Sequence, residues 1–136
     1  MGPANSARVV ARYNDGRVLK GFTQNFDPTK EMFPLLLRDA PASAEAVYIR
    51  LIELKALFFV EDFDGESEYS ERKEFQKPNA GRRLTVRFTD GEVLVGTSLT
   101  YHPTRTGFFL FPGDPFSNNR KVYVIAAAVV EVGAAA

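Results

Sequence analysis

Cysteine is missing from the 136 residues, and histidine occurs once, as His102. The first absence excludes disulfide frameworks, thiolate catalysis and cysteine-ligated zinc, and the lone imidazole excludes a multi-histidine metal centre. A surplus of either charge is also lacking. Seventeen Lys and Arg face seventeen Asp and Glu, so the chain has no broad positive field to steer it onto nucleic acid. No apolar run approaches the roughly 20 residues that span a bilayer, and the start, MGPANSARVV, lacks the apolar stretch of a signal peptide. A cytoplasmic protein is expected, with no membrane association and no cofactor.

What is present is an ordinary globular mixture, 45% apolar and 25% charged, enough for one domain or for two very small units sharing a core. Its strongest feature is an internal repeat. RYNDGRVLKGFTQNFDPTK (12–30) returns as RFTDGEVLVGTSLTYHPTR (87–105), and an ungapped offset of seventy-five positions carries the match on through Phe33/Phe108, Leu35/Leu110, Asp39/Asp114 and Tyr48/Tyr123. Duplicated sequence predicts duplicated backbone.

Each copy reads as strands. VVARY and LTVRF are rich in β-formers, and Asp15-Gly16 and Asp90-Gly91 are tight-hairpin signals. Gly21 and Gly96 interrupt the return strands, where a missing side chain marks a bend or the close approach of another backbone. MFPLLL and GFFLF supply a third strand, and IRLIELKALFFVED and VIAAAVVEV the last pair, with a break near Ile52 to Lys55. A helix over 49–62 fits the spacing of Leu51, Leu54, Leu57 and Phe58, but the β-branched duplicate favours strand. The expected fold is all-β: two tandem, pseudo-symmetric small barrels of Sm-like or SH3-like type, about five strands each, at 7–62 and 82–133, joined by a charged linker at 63–81. Consecutive aromatics, Phe58-Phe59 and Phe108-Phe109, must point to opposite sides of a strand. The second side of each therefore wants cover, and the two units are expected to pack on each other.

Reaction chemistry is not legible. Glu61, Asp62, Asp64, Glu66 and Glu68 lack the alternate-position ligands of a calcium loop and read as a solvated linker. Ser98, Ser117 and His102 form no nucleophile motif, and no glycine-rich phosphate loop precedes a helix. A non-enzymatic protein is expected.

DGRVLKGFTQNFDPTKEMFPLLLRDA resembles the Sm-like family in its hairpin, strand glycine and Phe-Asp loop, and VYIRLIELKALFF resembles that family's second motif. The resemblance implies the fold more than the RNA function. Near the family's uridine-contacting Asn stands Phe33, and Arg50 is followed by Leu51 rather than glycine. Tyr101, His102 and Arg105 offer stacking and clamping groups for a nucleotide, but such turn-flanking clusters are more often structural.

RLTVR (Arg83 to Arg87) and HPTRTG (102–107) together resemble the motif pair of PilZ domains, bacterial receptors for cyclic di-GMP. That likeness implies a dinucleotide gripped by Arg83 and Arg87, with His102 and Thr104 in the polar turn. LKALFFVEDFDG, DGE and GFFLFPGDPFSNNR resemble an uncharacterised bacterial family across nearly the whole chain. PGDPFSNNR reads as a hairpin excursion whose Phe116, Asn118, Asn119 and Arg120 form a partner-binding tip. A binding or regulatory module with a protein partner is the leading expectation. A cyclic dinucleotide is the alternative, and nucleic acid is disfavoured.

Overall fold

The computed structural model describes residues 6–41, 43–63, 81–114 and 117–134. Most of the expected linker, and Phe116, lie outside them. The described residues form strands β1 (Ala7–Tyr13), β2 (Val18–Thr23), β3 (Met32–Leu37), β4 (Val47–Arg50) and β5 (Leu54–Val60), then β6 (Arg82–Phe88), β7 (Val93–Ser98), β8 (Gly107–Pro112), β9 (Asn119–Ile125) and β10 (Val129–Ala134). Single 3-10 turns at Leu51–Glu53 and Ala126–Ala128 separate the last two strands of each half. No α-helix forms among the described residues, and none of their helices is long and apolar enough to cross a membrane.

The hairpins form as their residues require. Gly16 and Gly91 adopt φ of 94° and 92°, the left-handed region that glycine enters at little cost. The Asp15 and Asp90 carboxylates accept the backbone N–H two residues on, from Arg17 and Glu92, each at 2.9 Å. Gly21 and Gly96 serve close approach: a methyl group at either would sit 2.3 Å from a β3 or β8 carbonyl oxygen, that of Leu36 or Phe111.

The repeat holds to the level of single hydrogen bonds. The Leu51 N–H donates to the Glu31 carbonyl and the Ala126 N–H to that of Thr106; Asn14 donates to Glu53 and Thr89 to Ala128. Strand order within the halves is also the same, β5-β1-β2-β3-β4 and β10-β6-β7-β8-β9. The all-β class of the sequence reading holds. All ten strands join in one continuous sheet, ordered β10-β6-β7-β8-β9-β5-β1-β2-β3-β4. The reason is that β5 and β9 pair antiparallel, from Ala56 opposite Val124 to Val60 opposite Asn119, with a bulge at Phe59/Val60.

Two cores flank this seam, and β5 and β9 feed both. Leu57 and Phe59 join Val9, Phe33, Leu35 and Ile49 in the first core, whereas Ala56, Phe58 and Val60 join Leu84, Val86, Phe88 and Phe108 in the second. From the other side, Val122 and Val124 face the second core while Tyr123 and Ile125 enter the first. Successive strand residues point to opposite faces, so a strand buried on both carries no polar alternation, and every residue of β5 is buried. Full burial of each such aromatic or branched side chain contributes roughly 1.5–3 kcal/mol.

Candidate cationic cleft at the seam

The elements that make the seam also build a cleft beside it. Asn118 acts as a clasp between the halves. Its carboxamide oxygen accepts the Asp62 N–H at 3.0 Å, its Nδ2 donates to the Asp62 carbonyl at 2.8 Å, and its own carbonyl accepts the Glu61 N–H at 2.9 Å. Asn119 then opens β9 as the partner of Val60, with its N–H donating to the Ser117 hydroxyl at 3.0 Å. This fixes the next two side chains. The Arg120 Nε donates to Glu61 Oε1 at 2.8 Å, and the Lys121 ammonium lies 4.8 Å from the centre of the Phe59 ring and 4.9 Å from that of Phe109. From β1, Arg8 donates to the Glu61 carbonyl at 3.3 Å.

Arg8, Arg120 and Lys121 thereby surround a cleft of about 410 Å³ whose lining includes Phe26, Phe59 and Phe109, with Glu61 as its one acid. The aromatic lining is held edge-to-face: Phe26 lies 5.4 Å from Phe33, 5.7 Å from Phe59 and 5.5 Å from Tyr123. Asn25, on the cleft wall, has φ of 52°, the one positive value among described residues other than glycine. Three cations against one carboxylate leave the cleft positive, and aromatic faces beneath an ammonium favour a ligand with both an anionic and an apolar part.

A second pair of clefts opens where the first-half loop NFDPTKE approaches the second-half loop YHPTRTG. One, about 400 Å³, is lined by Pro28, Glu31, Ile52, Thr106 and Tyr123; its neighbour, about 310 Å³, shares Pro28, Thr106 and Tyr123 and adds Arg105. Burial raises the phenol pKa of Tyr123, and the Arg105 charge opposes that shift.

The structure brings some of the sequence-singled residues together and scatters others. Arg83 and Arg87 share the exposed face of β6, and Arg87 is bonded to Glu131 at 2.5 Å. Neither lines the clefts described above. Tyr101 packs edge-to-face on Phe108 at 4.9 Å, with the guanidinium of Arg82, not Arg83, 5.5 Å from its ring. His102 and Thr104 bond each other: Nδ1 and Oγ1 are 2.8 Å apart, and the Thr104 N–H donates to Nδ1 at 3.2 Å. With the Arg105 N–H on the His102 carbonyl at 3.0 Å, that segment is a self-capped turn. Among the described residues singled out as ligand contacts, Arg120 alone lines the seam cleft. No group of three or more His, Asp or Glu able to hold a metal occurs among the described residues.

Arg8, Phe26 and Lys121 escaped the sequence reading, as did Lys55. Buried on β5, the Lys55 ammonium donates to Asp90 Oδ2 at 2.7 Å and to Glu92, and lies 4.6 Å from the centre of the Phe88 ring. A signal existed for part of this set: Arg8 repeats as Arg83 and Phe26 as Tyr101, whereas Lys121 stands opposite Ala46 and Lys55 opposite Val130.

Residues 5–136 match a family of unknown function (DUF6982). No curated protein and no solved structure matches the chain.

Proposed function

Starting from the premise that the chain belongs to this family of unknown function, we propose that it is a non-enzymatic binding module whose ligand is an acidic segment of a partner protein, held in the seam cleft. The observation that carries this reading is the convergence of Arg8, Arg120 and Lys121 on a cleft lined by Phe59 and Phe109, with both halves contributing. A carboxylate would be received by the guanidinium and ammonium groups, which bond anions strongly, and a neighbouring apolar side chain would lie on the rings. We read each half as a small Sm-like or SH3-like unit; the identical strand order of the halves and their one core apiece support this. On that reading the binding surface belongs to the junction of two units rather than to either alone.

The test is an NMR titration of the full chain with acidic, phenylalanine-containing peptides. Amide shifts are expected around Phe59 to Asp62 and Asn118 to Lys121. Charge reversal, Arg8→Glu with Lys121→Glu, is expected to weaken binding at least about tenfold, or ~1.4 kcal/mol. Shifts elsewhere, or affinity indifferent to that reversal, would overturn the proposal.

Cyclic di-GMP is the second reading, favoured by the placement of Arg83 and Arg87 on one face of β6. Binding of that ligand abolished by Arg83→Ala or Arg87→Ala would establish it in place of the first. RNA binding would require retention that falls steeply with salt.

A further inference from the structure

The strand order leaves two edges. Among the described residues β4 pairs only with β3, and β10 only with β6. By the repeat these edges are counterparts of strands already joined at the seam: β4 corresponds to β9, and β10 to β5. Each half thus carries the same two edges, and the seam uses one of each. We propose that the remaining two, β4 of one copy and β10 of the next, join in the same antiparallel register, so that the chain assembles head to tail with itself.

Shifting the seam pairs by one repeat predicts the contact. Ala56 opposite Val124, Leu57 opposite Tyr123 and Phe58 opposite Val122 become Glu131 opposite Ile49, Val132 opposite Tyr48 and Gly133 opposite Val47. The side chains at these edges fit the role. Tyr48 is 68% exposed, whereas its counterpart Tyr123 is 6% exposed, seated edge-to-face on Phe26. In the assembly Tyr48 would meet Tyr101 of the next copy, the counterpart of Phe26. Val47 and Val130 are also exposed large apolar residues, and a side chain added at Gly133 meets open space. Unpaired edges template further pairing unless blocked; neither β4 nor β10 contains Lys or Pro, and each carries a single charged residue, Arg50 and Glu131, the latter already bonded to Arg87. A second copy is the occupant these edges fit, because it alone presents the seam's own complement and continues an interface already formed within the chain.

Such an interface is heterologous, so it closes into a ring or extends as a filament according to the rotation per step. Two features make it weaker than the seam. β4 has four residues where β9 has seven, and Val130 replaces the ion-paired Lys55.

Sedimentation velocity and native mass spectrometry of the full chain test the proposal. Wild type is expected to form concentration-dependent multimers. Tyr48→Asp disables the β4 edge, and Val130→Asp with Gly133→Asp disables the β10 edge; each protein alone is expected to be a monomer with wild-type circular dichroism. Mixed one to one, they are expected to form a capped dimer and nothing larger, since each retains the edge that the other lacks. A wild type that stays monomeric to millimolar concentration, multimers that survive either variant, or a mixture that remains monomeric would each overturn the proposal. Should either variant misfold, Val47→Asp and Val130→Asp alone test the same two edges.

Discussion

Replacing Lys55 with Met removes the ion pairs that tie β5 to the β6–β7 hairpin while keeping an unbranched stem in the same slot. The native ammonium donates to Asp90 at 2.7 Å and to Glu92, and its side chain is 10% exposed. Hydrogen bonds to charged groups contribute about 1.5–3 kcal/mol each, and the ring of Phe88 adds about 1 kcal/mol. Against this stands the desolvation of the ammonium, several kcal/mol, which methionine does not incur. The carboxylates are 53% and 43% exposed and rehydrate when the lysine is gone. The balance is a loss of about 1–3 kcal/mol, read as a lower urea midpoint at unchanged slope.

The pH dependence has a definite sign. The hydrogen bond from Lys55, followed by the N–H of Glu92, lowers the Asp90 pKa. A depressed carboxyl pKa contributes stability above its unfolded value of about 4, and that stability is lost as pH falls through the lower folded value. The gap between wild type and Lys55→Met should therefore narrow from about pH 4 downward. Equal or greater stability of Lys55→Met at pH 7 would refute the reasoning. So would an Asp90→Asn effect of the same size in both backgrounds, because that means no coupling.

Gly96→Ala places a methyl 2.3 Å from the Phe111 carbonyl oxygen and should cost about 3 kcal/mol or more. By contrast Gly133→Ala, in open space, should be neutral or stabilising by up to about 1 kcal/mol in thermal unfolding. Phe58→Ala should cost about 3–5 kcal/mol and shift the methyl resonances of Val86 and Val122, which share its core although both belong to the other half. Asn118→Ala should cost about 1 kcal/mol, with faster hydrogen exchange at the Asp62 amide that its side chain engages.

The local grammar of the fold was readable because it is written in short-range chemistry. Gly16 and Gly91 announced positive φ, Gly21 and Gly96 announced close backbone approach, and the offset of seventy-five residues required the helix-like spacing around Leu54 to yield to the β-branched duplicate. The 3-10 turn at Leu51–Glu53 falls at the expected break. What escaped was the pairing of β5 with β9. No turn joins these strands, so no turn chemistry specifies their register; the unbroken run Ala56 to Val60 said only that both faces are covered. For the same reason the site was only partly legible. Arg120 was singled out in a loop, but Arg8 joins it, and Lys121 meets the Phe59 ring, only once the seam exists. Arg83, Arg87, His102 and Thr104 looked like a motif in sequence, whereas in space His102 and Thr104 cap one turn and Arg87 bonds Glu131 on the outer face of β6.

The double-sided strands β5 and β9 also decide what a break in the backbone would do. Each half completes its interior with side chains lent by the other: Phe58 in one direction, Tyr123 and Ile125 in the reverse. A chain severed between Phe63 and Gly81 would leave two pieces, each with a gap in its packing and an unpaired strand where the seam had been. Made separately they should be poorly folded; mixed, they should re-form the sheet. The duplicated copies have become obligate complements, and the protein holds within itself a two-part reconstitution system whose affinity comes from the β5–β9 pairing together with the side chains that each half lends the other.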